Sequence, residues 1–338
     1  MKKILISLTA LALLSFQYLT AQTNDFYDDA ETIKLKTSSV EVLGEITNPG
    51  KINPETLTLR SVIVKETLLQ DGKDKFVGAY RYDGYSLYDI LNSVILKKKN
   101  EAEFPPIIDL YVEVENDKGE KVVFSWGELY YPIHRNEILI ATQVARIVPS
   151  KTKDLWPLPS DSRLVVAPDL LTHRNISNPT RITVKSYSGK FEITKGMSPM
   201  NSQSFTVADE TSKLDEISAL PADLVKLTYP AVFYGRGRGI HGTTPFTGVL
   251  LKEVLAKYIP LNETNLKTGM FIIAGKDGYH ATYTYSEIMN RNDQAEFLVV
   301  SSKKGADGGD FQVYPAVDFF SDRAMKSVES IRFVNIGN

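Results

Sequence analysis

The chain contains no cysteine among its 338 residues. That absence excludes disulfides, a thiolate metal centre, a cysteine nucleophile and a lipidated cysteine anchor. Histidine is scarce as well, with 4 in all. His134 and His173 are each followed by an arginine in polar loops, His241 lies in a glycine-rich loop, and His280 follows Tyr279 on an expected strand. No two have the i, i+4 spacing of a helical zinc site, so surface or capping roles are expected. A surplus of one charge is missing too: 39 Lys and Arg face 41 Asp and Glu. A near-neutral balance gives no general attraction to nucleic acid or anionic lipid, and no nucleic-acid partner is expected. The Gly-x-Ser-x-Gly elbow of a hydrolase is also absent.

What is present begins with a leader. Met1-Lys2-Lys3 precedes an apolar run from Ile4 to Leu14 and a small-residue site at Leu19-Thr20-Ala21, so residues 1–21 read as a signal peptide. Ser7, Thr9, Ser15 and Gln17 break the run, which falls short of the roughly 20 apolar residues of a membrane span. No transmembrane segment is expected. The mature chain, cleaved near Ala21, is expected to be exported to a bacterial periplasm or secreted, with 317 residues and a formal charge near −4.

The mature sequence repeats itself. Gly78 to Leu91 lies over Gly242 to Leu255 without a gap, placing Gly84 on Gly248, Leu87 on Leu251 and Leu91 on Leu255. Lys118 to Leu129 lies over Asp277 to Ile288, pairing Phe124 with Tyr283, Trp126 with Tyr285 and Glu128 with Glu287. The segments "RLVVAPDLLTHRN" and "FQVYPAVDFFSDRA" bring Arg174 onto Arg323. Two tandem copies of one domain follow, residues 36–186 and 187–338, divided near Ser186. In each copy an extended segment leads to a glycine loop, and Leu87, Ile90, Leu91 and Val94 then show helical spacing. A hairpin follows ("DLYVEVE" with "KVVFSW", "MFIIAG" with "HATYTY"), then a short helix holding Glu128 or Glu287, then a buried strand.

The order of these signals carries a family resemblance. Gly44-x-Ile46-x-Asn48-Pro49, "YDGYSLYDIL" from Tyr82, "SWGEL" from Ser125 with "TYSEI" from Thr284, and "RLVVAP" resemble the molybdopterin-binding domain of the sulfite oxidase and periplasmic methionine sulfoxide reductase group. The resemblance implies a mixed α/β (α+β) fold in each copy, a β-rich core with short helices. It also implies a molybdenum pterin cofactor whose metal is held by a cysteine lying between the first strand and the glycine loop. The matching windows, Leu57 to Gly78 and Leu224 to Gly242, contain no cysteine. Thiolate is the soft ligand for such a metal. No cofactor and no catalytic residue are therefore assigned, because a fold without its ligand does not carry the chemistry.

The segment "YGRGRGIHG" matches Gly-x-Gly-x-x-Gly, yet a dinucleotide site needs a helix opening within the motif. Here Thr243, Thr244 and Pro245 follow Gly242, and the helical pattern begins after Gly248. Arg236, Arg238, Gly239 and His241 instead form an anion- or pterin-site candidate, with guanidinium forks among glycines that admit a ligand close to the backbone. A solvated basic loop is the alternative. Arg174 and Arg323 join the candidates, as retained anion contacts or as structural ion pairs. Glu128 and Glu287 fit helix starts, and the alternating aromatics fit the core.

The reading is an exported bacterial protein that binds an anionic or planar small molecule, or an envelope protein partner, without catalysis. Two other readings stand beside it: a molybdopterin-dependent oxidoreductase holding its pterin through the basic loop without a cysteine ligand, and a structural envelope protein.

Overall fold

The computed structural model describes residues 30–243, 245–301 and 308–337. The expected signal peptide lies outside these residues. The first half carries β1 (Ile33–Lys34), β2 (Glu41–Gly44), β3 (Gly50–Lys51), β4 (Arg60–Gln70), β5 (Lys73–Ser86), β6 (Leu110–Asn116), β7 (Lys121–Ser125), β8 (Ile138–Arg146), β9 (Arg163–Val166) and β10 (Pro179–Ser186). The second half carries β11 (Asn201–Ser202), β12 (Phe205–Ala208), β13 (Lys213–Ile217), β14 (Leu227–Tyr229), β15 (Phe233–Gly235), β16 (Gly239–Gly242), β17 (Phe246–Leu250), β18 (Gly269–Gly275), β19 (His280–Thr284), β20 (Phe297–Ser301), β21 (Gly309–Pro315) and β22 (Val328–Asn335). Five short helices are described: α1 (Leu87–Leu91), α2 (Trp126–Tyr130), α3 (Leu251–Leu255), α4 (Glu263–Thr268) and α5 (Tyr285–Met289).

The expected mixed α/β architecture of the sulfite-oxidase type is overturned. The chain is mostly β, 45% strand against 12% helix, and its sheets are arranged as a four-bladed β-propeller. The helices fail to form a layer because each ends within a turn or two. The apolar spacing Leu87, Ile90, Leu91 continues to Val94 in the sequence, but the helix stops at its C-cap, Asn92. Each of these segments closes a strand end over the core instead of covering a sheet.

Four sheets of five strands make up the blades. Their strand orders recur. In the first half β4, β5, β8 and β9 pair in succession, antiparallel, and β14, β17, β20 and β21 do the same in the second. In the other two sheets β2 runs parallel to β10, which is antiparallel to β6, which is antiparallel to β7; β12, β22, β18 and β19 repeat that pattern. The glycines matched in the sequence have a common cause. A Cβ on Gly84 would overlap the Ile140 carbonyl of the adjacent strand β8, and one on Gly248 would overlap the Val299 carbonyl of β20. Both are close approaches of backbone to backbone, which only glycine allows.

Alternating residues build the interior. In β4, Val62 and Val64 face inward while Ser61, Ile63 and Lys65 are exposed. One core gathers Leu87, Ile90, Leu91, Val112, Val114, Phe124, Ile140 and Val184 from the first half. The second-half core, around Leu251, Phe271, Tyr283 and Ile331, also takes Phe104, Ile108, Tyr131 and Leu171 from the first. Thr282 Oγ1 on β19 donates to the Ile108 and Leu110 carbonyls at 3.2 and 3.0 Å, so the two halves share hydrogen bonds as well as apolar packing.

Candidate functional site

Strands β15 and β16 pair antiparallel and turn through Arg236, Gly237 and Arg238, so the glycine motif is a hairpin and not a strand-to-helix turn. Gly239 adopts a φ of +76°, a value glycine takes without strain. The hairpin base is anchored by aromatic packing. The Phe233 ring lies 5.3 Å from Phe246, which stacks on Tyr314 at 4.1 Å, and His241 leans on Phe233 at 5.5 Å.

Its turn is fixed at one point. Arg236 Nε donates to Asp322 Oδ1 at 3.1 Å, and its guanidinium lies 5.7 Å from the centre of the Tyr131 ring. The Arg323 guanidinium is also 5.7 Å from that ring. Two of the sequence candidates therefore flank one buried tyrosine. Tyr279 Oη donates to the Asp322 carbonyl at 3.2 Å. Burial first, and the Asp322 charge second, push the Tyr279 phenol up to about 12 and raise that of Tyr131 further, so both keep their protons. Tyr131 Oη and Asp322 Oδ2 are buried and have no hydrogen-bond partner among the described residues.

The hairpin's outer side is open. Arg236, Arg238 and His241 are exposed, and Arg238 forms no ion pair or side-chain hydrogen bond among the described residues. Around them stand apolar groups that a soluble surface ordinarily shields: Ile240 is 57% and Phe319 50% exposed, and the Tyr234 ring sits 5.8 Å from Phe319. Cations and aromatic faces thus share one surface, the combination that stacks and pairs with a planar anion.

Arg174 and Arg323 belong elsewhere. They are 1% and 0% exposed and form a reciprocal ion cluster between the halves. Arg174 binds Asp169 through Nε and Nη2 at 2.8 and 2.6 Å, and Glu128 through Nη2 and Nη1 at 2.6 and 3.0 Å. Arg323 binds Asp318 at 2.8 and 2.7 Å and Glu287 at 3.1 Å. The halves then exchange hydroxyls. Ser125, the N-cap of α2, donates to Glu287 at 2.8 Å, while Thr284, the N-cap of α5, donates to Glu128 at 3.0 Å. A side chain on Gly127 would collide with the Arg323 guanidinium, so that glycine makes room for the cluster. Burial lifts the Glu287 carboxyl to about 7, against the opposing Arg323 charge and with Glu128 adding to the lift; Asp169 rises to about 6, again through burial, with Arg174 opposing. Four carboxylates around two guanidiniums leave surplus negative charge, which favours a retained proton.

The thiolate that would hold a molybdenum pterin is missing from this chain. The window from Leu57 to Gly78 has no cysteine and forms strand β4, the hairpin turn and the start of β5. Within it, the Ser61 hydroxyl is engaged with Asp83 at 2.5 Å. Among the described residues no group of three or more His, Asp or Glu side chains is placed to hold a metal ion. No family model matches the chain, and no curated protein matches it.

Sequence reasoning missed Asp322, Tyr131 and Tyr279, which come together only in the fold. It also missed the carboxylate partners of the buried arginines. Their signal is present, since Asp169 precedes Arg174 by the same spacing as Asp318 precedes Arg323.

Proposed function

We propose that this is an exported, non-catalytic binding protein that captures an anionic, planar group, free or carried by an envelope partner, at the β15–β16 hairpin. The observation that carries the reading is the exposed surface of that hairpin, where Arg238 has no described partner beside Tyr234, Ile240 and Phe319. Guanidinium groups recognise carboxylate and phosphate oxygens in a forked geometry, and nearby rings supply stacking area. Gly237, with no atom within 4 Å of where a Cβ would stand, leaves the backbone of the turn open to an approaching anion. Arg174 and Arg323 are not part of this surface; their guanidiniums are already matched by carboxylates. Export rests on the N-terminal leader sequence.

Elemental analysis of the mature protein, purified from a host supplied with molybdate and tungstate, tests the non-catalytic part. The reading expects neither metal above trace level, and a content near one atom per chain would overturn it in favour of an oxidoreductase. Alanine at Arg236 and Arg238 together separates binding from a purely structural role: a binding protein loses its function, while a scaffold keeps it.

A further inference from the structure

Away from the hairpin, β4 forms one edge of its sheet, with β5 on one side and, among the described residues, no strand on the other. Part of this edge is covered. Thr67 N–H donates to Thr172 Oγ1 at 3.1 Å, the Thr67 carbonyl accepts from Thr172 N at 2.7 Å, and Leu69 N–H donates to His173 Nε2 at 2.8 Å. The backbone groups of Thr67 and Leu69 therefore turn away from β5. Residues along an antiparallel strand turn alternately toward and away from their neighbour. The pairing irregularity here opposes Glu66 to Gly78 and Thr67 to Phe76, so the extra residue is Val77 on β5 and β4 itself keeps its period. The N–H and C=O groups of Ser61, Ile63 and Lys65 consequently point to the same open side, and no described residue bonds them.

Beside these groups runs a groove of about 500 Å³, bounded by Ser61, Val62 and Ile63 on one wall and by residues 133–137 with Ala167 on the other. Ile63 and Ile133, at 67% and 65% exposed, present apolar side chains there. Two cations nearby lack a carboxylate partner among the described residues. Lys65 has no described carboxylate partner, and Arg135 is held against Tyr88 at 4.6 Å, also without a carboxylate. His134 lines the groove, and Glu137 is the one carboxylate among the described residues on its wall.

We infer that the open edge of β4 accepts an added strand: an extended, acidic segment of a partner protein, paired to the backbone at Ser61, Ile63 and Lys65. Unpaired strand edges are templates for such addition, with main-chain bonds supplying affinity and alternate side chains supplying choice. The partner's apolar positions would meet Ile63 and Ile133, and its acidic positions Lys65 and Arg135. A second copy of this chain fits less well, because it would bring its own Lys65 toward the same strand edge, where Lys65 and Arg135 already lack a carboxylate; Arg60 is matched by Asp89 at 3.0 Å.

The probe is acetyl-Glu-Val-Glu-Val-Glu-Val-amide, with a control methylated at alternate backbone nitrogens. On the mature protein the probe should slow amide exchange at Ser61, Ile63 and Lys65 by about tenfold or more, and the methylated control should not bind. Ile63→Pro should weaken the probe about tenfold or more while leaving thermal unfolding close to that of the parent, since that N–H lies outside the β4–β5 ladder. Lys65→Glu should weaken it severalfold. Absence of binding, equal binding of the methylated control, or protection of these amides without the probe would each overturn the inference. Protection that grows with protein concentration alone would show self-pairing and overturn it equally. None of these outcomes depends on the hairpin arginines.

Discussion

Replacing Arg323 by methionine should be among the most destabilising single changes in this protein. The side chain is fully buried and holds Asp318 at 2.8 and 2.7 Å, Glu287 at 3.1 Å and Ser125 Oγ at 3.1 Å. Methionine fills much of the volume but leaves Asp318 and Glu287 out of water with no counter-charge, so at pH 7 each must either stay ionised and unpaired or take up a proton from a near-neutral solution. Breaking a buried pair in this way costs about 3–5 kcal/mol. At roughly 2–4 °C per kcal/mol for a chain of this size, the melting temperature should fall by about 10 °C at pH 7. The loss should shrink at pH 5. There a proton can take the place of the guanidinium, because burial already raises both Glu287 and Asp318. Arg238→Ala, on the open hairpin, should stay within about 0.5 kcal/mol of the parent. Denaturant and thermal unfolding at the two pH values measure all of this. An Arg323→Met protein within about 1 kcal/mol of the parent at pH 7, or one equally weakened at both pH values, would refute the reasoning.

Two further outcomes follow from the same structure. A carboxyl whose folded pKa is raised binds its proton more tightly in the native state, so its contribution is complete below the unfolded value and is lost as pH rises through the folded one. For Glu287, shifted from 4.5 to about 7, the protein should lose stability as pH rises from about 4.5 to 7, and unfolding of Glu287→Gln across that range should show a flatter profile. Gly44→Ala should cost several kcal/mol or abolish folding, on the order of the largest single-site effects. The position has a φ of +99°, and a Cβ there would overlap the Val184 carbonyl; unchanged unfolding of the variant would contradict this account.

Local pattern made much of this molecule legible. The hairpins β6–β7 and β18–β19 lie where alternating bulky residues flank "NDKG" and "KDG", and α2 and α5 hold Glu128 and Glu287 at their first turns. The architecture was not legible, for a physical reason. A helical spacing of four residues reads the same whether the helix forms a layer or only caps a strand, and α1 does the latter. The hairpin β4–β5 does carry a short-range signal, Asp71-Gly72 with φ values of +51° and +73°. A search of that window for a metal ligand passes over it.

The site divides in the same way. Arg236, Arg238 and His241 stand out in the sequence because cations among glycines are locally conspicuous. Pairing of Arg236 with Asp322, 86 residues away, depends on tertiary structure alone. The recurrence of Arg174 and Arg323 marks a shared role, but one sequence position cannot distinguish an ion pair from a ligand contact. Only the carboxylates converging on each guanidinium make that distinction.

Binding at the hairpin is tested most directly by titrating the isotope-labelled protein with naphthalene-2-carboxylate while following the amides of Gly237, Gly239 and Gly242. The account predicts saturable shifts centred on these three amides, abolished when Arg236 and Arg238 are both alanine. Silent hairpin amides, or equal shifts in the double variant, would contradict it.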